Sequence, residues 1–145
     1  MKGKAQSLPK NTCAWGLKFM PSCLIIDDSR LVRQVSKRIV EDLGFTCEEA
    51  EDGKHAFDLC QDYMPDLIIV DWNMPVMSGL EFVEKLRAME NGAHAKVIFC
   101  TTEDNLGHIE RALRAGATEY IMKPFNRDMI QGKLAQIGMM RNEVV

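Results

Sequence analysis

Two kinds of hydrophobic pattern alternate along the chain. The first is a short, unbroken apolar run: Cys23-Leu24-Ile25-Ile26, Leu67-Ile68-Ile69-Val70, Val97-Ile98-Phe99-Cys100 and Tyr120-Ile121-Met122. Runs of this length suit strands buried on both faces, as in a parallel sheet. Thr46-Cys47-Glu48-Glu49-Ala50 is more polar, and its place between two helical patterns predicts an edge strand. The second pattern has helical period. Over 29–43, Leu31, Val35 and Ile39 recur at i, i+4 and i+8, joined by Val32 and Leu43, with Ser29 as N-cap and Gly44 as the stop. Ala56, Phe57 and Cys60 share one side of 53–63, before Pro65, and Leu80, Val83, Leu86 and Met89 share one stripe of 79–89. Leu106, Ile109, Ala112 and Leu113 fall together in 105–115, and Met129, Ile130, Leu134 and Ile137 in 126–140.

The order is β-α repeated five times. This predicts an α/β fold: a doubly wound, five-stranded parallel sheet with five helices on both faces. Ligands of such sheets bind at the carboxyl ends of the strands, where the strand order switches. The first strand is followed by Asp27-Asp28-Ser29 and not by a glycine-rich turn, which excludes a P-loop and a dinucleotide fingerprint.

Composition narrows the classes further. The chain has 145 residues and a formal net charge of −3, the size and balance of one globular domain. Residues 1–20 hold Lys2, Lys4, Lys10 and Lys18 and no acid, so the remainder carries −7. An acidic domain is a poor nucleic-acid binder. No apolar run approaches the roughly 18 residues of a membrane span, and no signal peptide is evident. Five cysteines, widely spaced and without a C-x-x-C pair, argue for reduced thiols in a cytoplasmic protein. The expected organisation is a flexible extension at 1–20, one domain at 21–140 and a short tail at 141–145.

The strand ends carry the chemistry. Asp27, Asp28 and Asp71 at adjoining ends repel one another and raise each other's pKa unless a hard divalent cation is present. Thr101-Thr102 ends the fourth strand and Lys123-Pro124 the fifth. Carboxylates, a hydroxyl and an ammonium around one point suit a phosphoryl group plus a metal. His55, His94 and His108 share no spacing and read as surface residues.

From about Pro21 to Met140 these residues resemble a response-regulator receiver domain of the chemotaxis-regulator type. The motifs are Leu24-Ile25-Ile26-Asp27-Asp28-Ser29, Asp71-Trp72-Asn73-Met74-Pro75-Val76-Met77-Ser78-Gly79, Thr101, and Tyr120-Ile121-Met122-Lys123-Pro124-Phe125, in the family's order. The resemblance implies a flavodoxin-like strand order 2-1-3-4-5. It implies that Asp71 is the phosphoacceptor, a carboxylate nucleophile toward phosphohistidine. Asp28, Asp71 and the main-chain carbonyl of Asn73 then bind Mg²⁺ (Mn²⁺ as a substitute), with Asp27 acting through water. Thr101 and Lys123 contact phosphoryl oxygens, the Lys123–Pro124 bond is cis, and Tyr120 is the switch aromatic. Asn73 and Glu103 flank the path of an attacking water and tune dephosphorylation, which is expected to be fast.

The expected function is a stand-alone, phosphorylation-dependent switch of a two-component system or phosphorelay. Its partners are a sensor histidine kinase or histidine phosphotransfer protein, docking on the first helix near Arg30, Leu31 and Arg33, and a downstream protein on the face of the fourth helix, fifth strand and fifth helix. Nucleic acid and membrane are not expected partners. Within the family, a phosphorelay shuttle competes with a chemotaxis-type regulator. A Mg²⁺-dependent aspartyl-phosphate phosphohydrolase is the reading from another class; it lacks support because Asn73, not an acid, follows Asp71 by two and no cap-sized insertion exists.

Overall fold

The computed structural model describes residues 20–102 and 106–140. The expected extension (apart from Met20), the tail at 141–145 and Glu103 lie outside the described residues. Elements alternate as β1 Ser22–Ile26, α1 Arg30–Asp42, β2 Thr46–Ala50, α2 Gly53–Asp62, β3 Leu67–Asp71, α3 Gly79–Arg87, β4 Lys96–Thr101, α4 Leu106–Ala115, β5 Glu119–Met122 and α5 Arg127–Gln136. All pairings are parallel and the strand order is β2-β1-β3-β4-β5. This is the doubly wound sheet and the order 2-1-3-4-5 expected above.

The apolar runs lie in the middle of the sheet because each alternate residue meets a helical layer. On one face Leu24, Ile26, Ile68, Val70, Val97 and Phe99 pack against α2, α3 and α4 through Ala56, Cys60, Phe82, Val83, Leu86 and Ala112. On the other, Ile25, Ile69, Ile98 and Ile121 pack with Val40 of α1 and Ile130 and Leu134 of α5. The edge strand β2 exposes Thr46 and Glu48 and buries only Ala50, which explains its polar composition. Helix starts follow the caps: Ser29, Asp52, Ser78 and Asn126 each accept a main-chain N–H with the side chain. Gly44 ends α1 with φ +102°, a conformation that favours glycine.

Two helices sit in a different phase from the one their periodicity predicts. In α1, Leu31 is 70% exposed and Val35 50%. The buried positions are Ser36 and Val40, with Val32, Ile39 and Leu43 partly covered. In α4 only Ala112 is buried, while Leu106 and Leu113 are exposed. A helix whose small residue approaches the sheet closely leaves the larger neighbouring side chains at the rim.

Behind the sheet's amino ends, Arg87 closes two loops at once through three carbonyls. Its Nε donates to the Gly116 carbonyl at 2.9 Å, and its Nη1 to the carbonyls of Gly92 and Ala95, both at 2.7 Å. Arg87→Met retains the stem but orphans these acceptors. The expected cost is about 2–4 kcal/mol, read as a lowered urea midpoint with unchanged m; a loss near zero would show that the carbonyls find other donors.

Candidate functional site

At the switch in strand order, β1 faces β2 on one side and β3 on the other, so the turn after β1 lies beside the end of β3. Asp27 is buried there and its main chain is held from two elements. Its N–H donates to the Ala50 carbonyl at 3.2 Å, and its own carbonyl accepts from Arg33 Nη1 at 2.7 Å. The side chain is aimed by the Ser29 N–H, which donates to Asp27 Oδ1 at 2.8 Å. Ser29 thus serves both the acidic turn and, through its hydroxyl, the cap of α1. Asp28 is exposed at the mouth.

The end of β3 presents Asp71, partly buried, and the end of β5 presents Lys123 through a cis Lys123–Pro124 bond. The ammonium donates to Asp27 Oδ2 at 2.8 Å and to Asp71 Oδ1 at 3.1 Å. Thr101, at the end of β4, is buried, and its carbonyl accepts from the Lys123 N–H at 2.8 Å. Five of the expected site residues are therefore brought together: Asp27, Asp28, Asp71, Thr101 and Lys123. Asn73 lies exposed in the loop two residues beyond Asp71. Tyr120 is further along, partly buried against the core, with Lys133 Nζ 4.5 Å from its ring centroid.

Charge in this cluster is incompletely balanced. Burial lifts the Asp71 carboxyl above its ordinary value, and the neighbouring Asp27 charge adds to this; Lys123 pulls the other way without cancelling it. For Lys123 burial favours the neutral amine, but the hydrogen bonds to Asp27 and Asp71 prevail and its pKa is raised. One carboxylate oxygen from each of Asp27, Asp28 and Asp71 lies within 4.8 Å of the others. Among the described residues the ligand atoms that converge here are hard carboxylate oxygens, and one of the acids faces solvent, which fits a small divalent cation that keeps part of its water shell.

The loop after Asp71 is tied tightly. Trp72 donates its N–H to the Cys100 carbonyl at 3.2 Å and accepts at its carbonyl from the Gly79 N–H at 3.0 Å. A Cβ at Gly79 would overlap the Asp71 carbonyl oxygen, so no larger residue fits. Between them Met77 N–H donates to the Pro75 carbonyl at 2.7 Å around Val76, whose φ is +71°. A β-branched residue is rare in this conformation and strained there.

Two residues have roles other than those expected. His108 is not a plain surface histidine: its ring stacks on Trp72 with centroids 3.7 Å apart, because the first turns of α4 lie over the indole. His55 and His94 are exposed, as expected. Arg33 is not simply part of a solvent-facing docking surface: besides the Asp27 carbonyl it binds Glu49 of β2 at 3.0 Å. A sequence signal existed for neither contact, since each joins segments far apart in the chain. The exposed Leu31 and Val35 instead form, with Val32, Lys123, Pro124 and Phe125, an apolar groove of about 410 Å³ next to the acids.

The family model described as the response regulator receiver domain matches residues 23–135. The chain belongs to the response regulator receiver domain family. It is 36% identical over 115 residues to the chemotaxis protein CheY of Pseudomonas aeruginosa, covering 79% of this chain and 93% of that one. The chemotaxis protein CheY homolog of Campylobacter jejuni is 38% identical over 116 residues, covering 79% and 89%. Among solved structures, Vibrio cholerae CheY4 superposes with a TM-score of 0.78 at 34% identity, covering 81% of this chain and 98% of that one. The receiver domain of a P. aeruginosa sensor histidine kinase, solved with magnesium in its active-site cleft, has a TM-score of 0.75 at 29% identity and covers 81% and 98%. Among the described residues no helix is long and apolar enough to cross a membrane.

The raised Asp71 carboxyl has a consequence for stability. In the folded receiver Asp71 holds its proton more tightly than in the unfolded chain, where a carboxyl titrates near 3.9. Its contribution to stability is complete below that value and is lost as pH rises through the folded-state pKa. Asp71→Asn, which cannot ionise, is therefore expected to melt above wild type at pH 7 in EDTA, with the gap narrowing as pH falls toward 4. A variant less stable at pH 7 would contradict this.

Proposed function

We propose that this receiver is a phosphorylation-dependent switch of a two-component or phosphorelay pathway, with Asp71 as phosphoacceptor. The observation that supports this best is the Lys123 ammonium bridging Asp27 and Asp71 at the carboxyl ends of β1, β3 and β5. An Asp71 oxygen attacks the phosphorus of a partner's phosphohistidine, and the P–N bond breaks. Lys123 then trades its carboxylate contact for a phosphoryl oxygen, and Thr101 donates its hydroxyl to another. Mg²⁺, for which Mn²⁺ substitutes, neutralises the charge on the transferring group when bound. Asp28, Asp71 and the Asn73 carbonyl would hold it, with Asp27 acting through water.

The donor is a sensor histidine kinase or histidine phosphotransfer protein. The apolar groove beside α1, with Leu31 and Val35 at its rim, supports docking there. Phosphorylation draws Thr101 toward the phosphate and turns Tyr120 inward, which re-forms the face of α4, β5 and α5 for a downstream protein. The receiver acts in the cytoplasm and returns to rest by its own hydrolysis of the acyl phosphate, with Asn73 and Glu103 flanking the incoming water. This is a switch with self-limiting chemistry, not a turnover enzyme.

Incubation with acetyl phosphate and Mg²⁺, followed by intact mass, should show one added phosphoryl group. The adduct should vanish in Asp71→Asn and in EDTA; no adduct with any phosphodonor would sink the proposal. Once donor is removed, the adduct should decay within a few minutes at 25 °C, and persistence over many minutes would refute the fast-hydrolysis assignment of Asn73 and Glu103.

A further inference from the structure

The described thiols are all free, and two of them are not isolated from each other. Cys23 of β1 and Cys47 of β2 are direct partners in the parallel ladder. Being directly paired, they project from the same face of the sheet, where Cys23 is part of the core facing α1 and α5 and Cys47 packs against it. Their side chains are therefore neighbours on one face of the sheet. Adjacent strands lie roughly 4.8 Å apart, within the roughly 4.4–6.8 Å Cα separation that a disulfide spans.

The two thiols differ in access. Cys23 is 2% exposed, whereas Cys47 is half-buried on the open edge of the sheet. The pair is the second rung of the β1–β2 ladder, next to Ser22 and Thr46 at its amino end. It lies at the end of the strands opposite Asp71, so this chemistry is separate from the phosphoryl site.

We propose that Cys23 and Cys47 form a peroxide-sensitive dithiol that closes to a disulfide between β1 and β2. The Cys47 thiolate attacks one oxygen of a hydroperoxide; the O–O bond breaks, leaving Cys47 sulfenic acid and releasing hydroxide, or an alkoxide from an organic peroxide, which takes up a proton to become water or an alcohol. The Cys23 sulfur then attacks the Cys47 sulfur. The S–S bond forms, the S–O bond breaks, and the Cys23 proton leaves with the departing hydroxyl as a second water. The two sulfurs are oxidised by two electrons in total and the peroxide is reduced by two. The partly exposed Cys47 is the sulfur that meets oxidant, and the buried Cys23, whose thiol burial holds in the protonated form, is left to resolve it. Closing a bridge between neighbouring strands requires their side chains to converge, so the disulfide is of the strained, readily reduced kind.

The test treats the full-length reduced protein with hydrogen peroxide, blocks remaining thiols, and maps non-reduced peptides by mass spectrometry. The expected product has lost two hydrogens, contains a linked Cys23–Cys47 peptide, and reverts with dithiothreitol. Cys47→Ser, at a half-buried site, should keep the fold and abolish the link, and Cys23→Ala should leave Cys47 as a sulfenic acid that a dimedone probe captures. Stepwise oxygen addition at Cys47 with no link in the wild type would overturn the proposal, as would a link from Cys47 to any other cysteine.

Discussion

The site depends on one cation. A parallel sheet whose order switches between β1 and β3 puts the residues after those strands side by side, and here they are carboxylates. Lys123, delivered from the end of β5 on the far side of β4, lies between Asp27 and Asp71 and makes their closeness tolerable. A single ammonium does not fully neutralise three acids, and Asp71 remains shifted in the direction of protonation. That residual imbalance suits a divalent cation at the mouth of the cluster.

The surrounding backbone is built to keep Asp71 still. Its strand continues into Trp72, whose amide and carbonyl are both bonded, and Gly79 leaves no room between α3 and the Asp71 carbonyl. The strain at Val76 is borne one turn away, in the exposed part of the loop. The backbone below the carboxylate thus holds Asp71 in a fixed position at the strand end.

Much of this was legible in the sequence, because a doubly wound sheet writes itself as unbroken apolar runs and because its functional residues follow those runs directly. Asp27, Asp71, Thr101 and Lys123 could be picked out from position alone. The phase of α1 and α4 could not: Leu31 and Leu106 fit the helical period, yet helix rotation is decided by which small residue, Ser36 or Ala112, approaches the sheet. The Trp72–His108 stack and the Cys23–Cys47 contact were also hidden. Each joins residues dozens of positions apart, and strand register or helix placement, not local pattern, brings them together.

Arg33 and Glu49 carry a consequence for how such a chain can vary. The guanidinium ties an edge-strand carboxylate to the main chain of Asp27, with 14% and 29% of the two side chains exposed. Removing Glu49 alone leaves a largely buried cation beside the acidic turn, and removing Arg33 alone leaves Glu49 with Lys37 Nζ, 3.8 Å away. The two positions are therefore energetically coupled, although one lies on a helix and the other at the rim of the sheet.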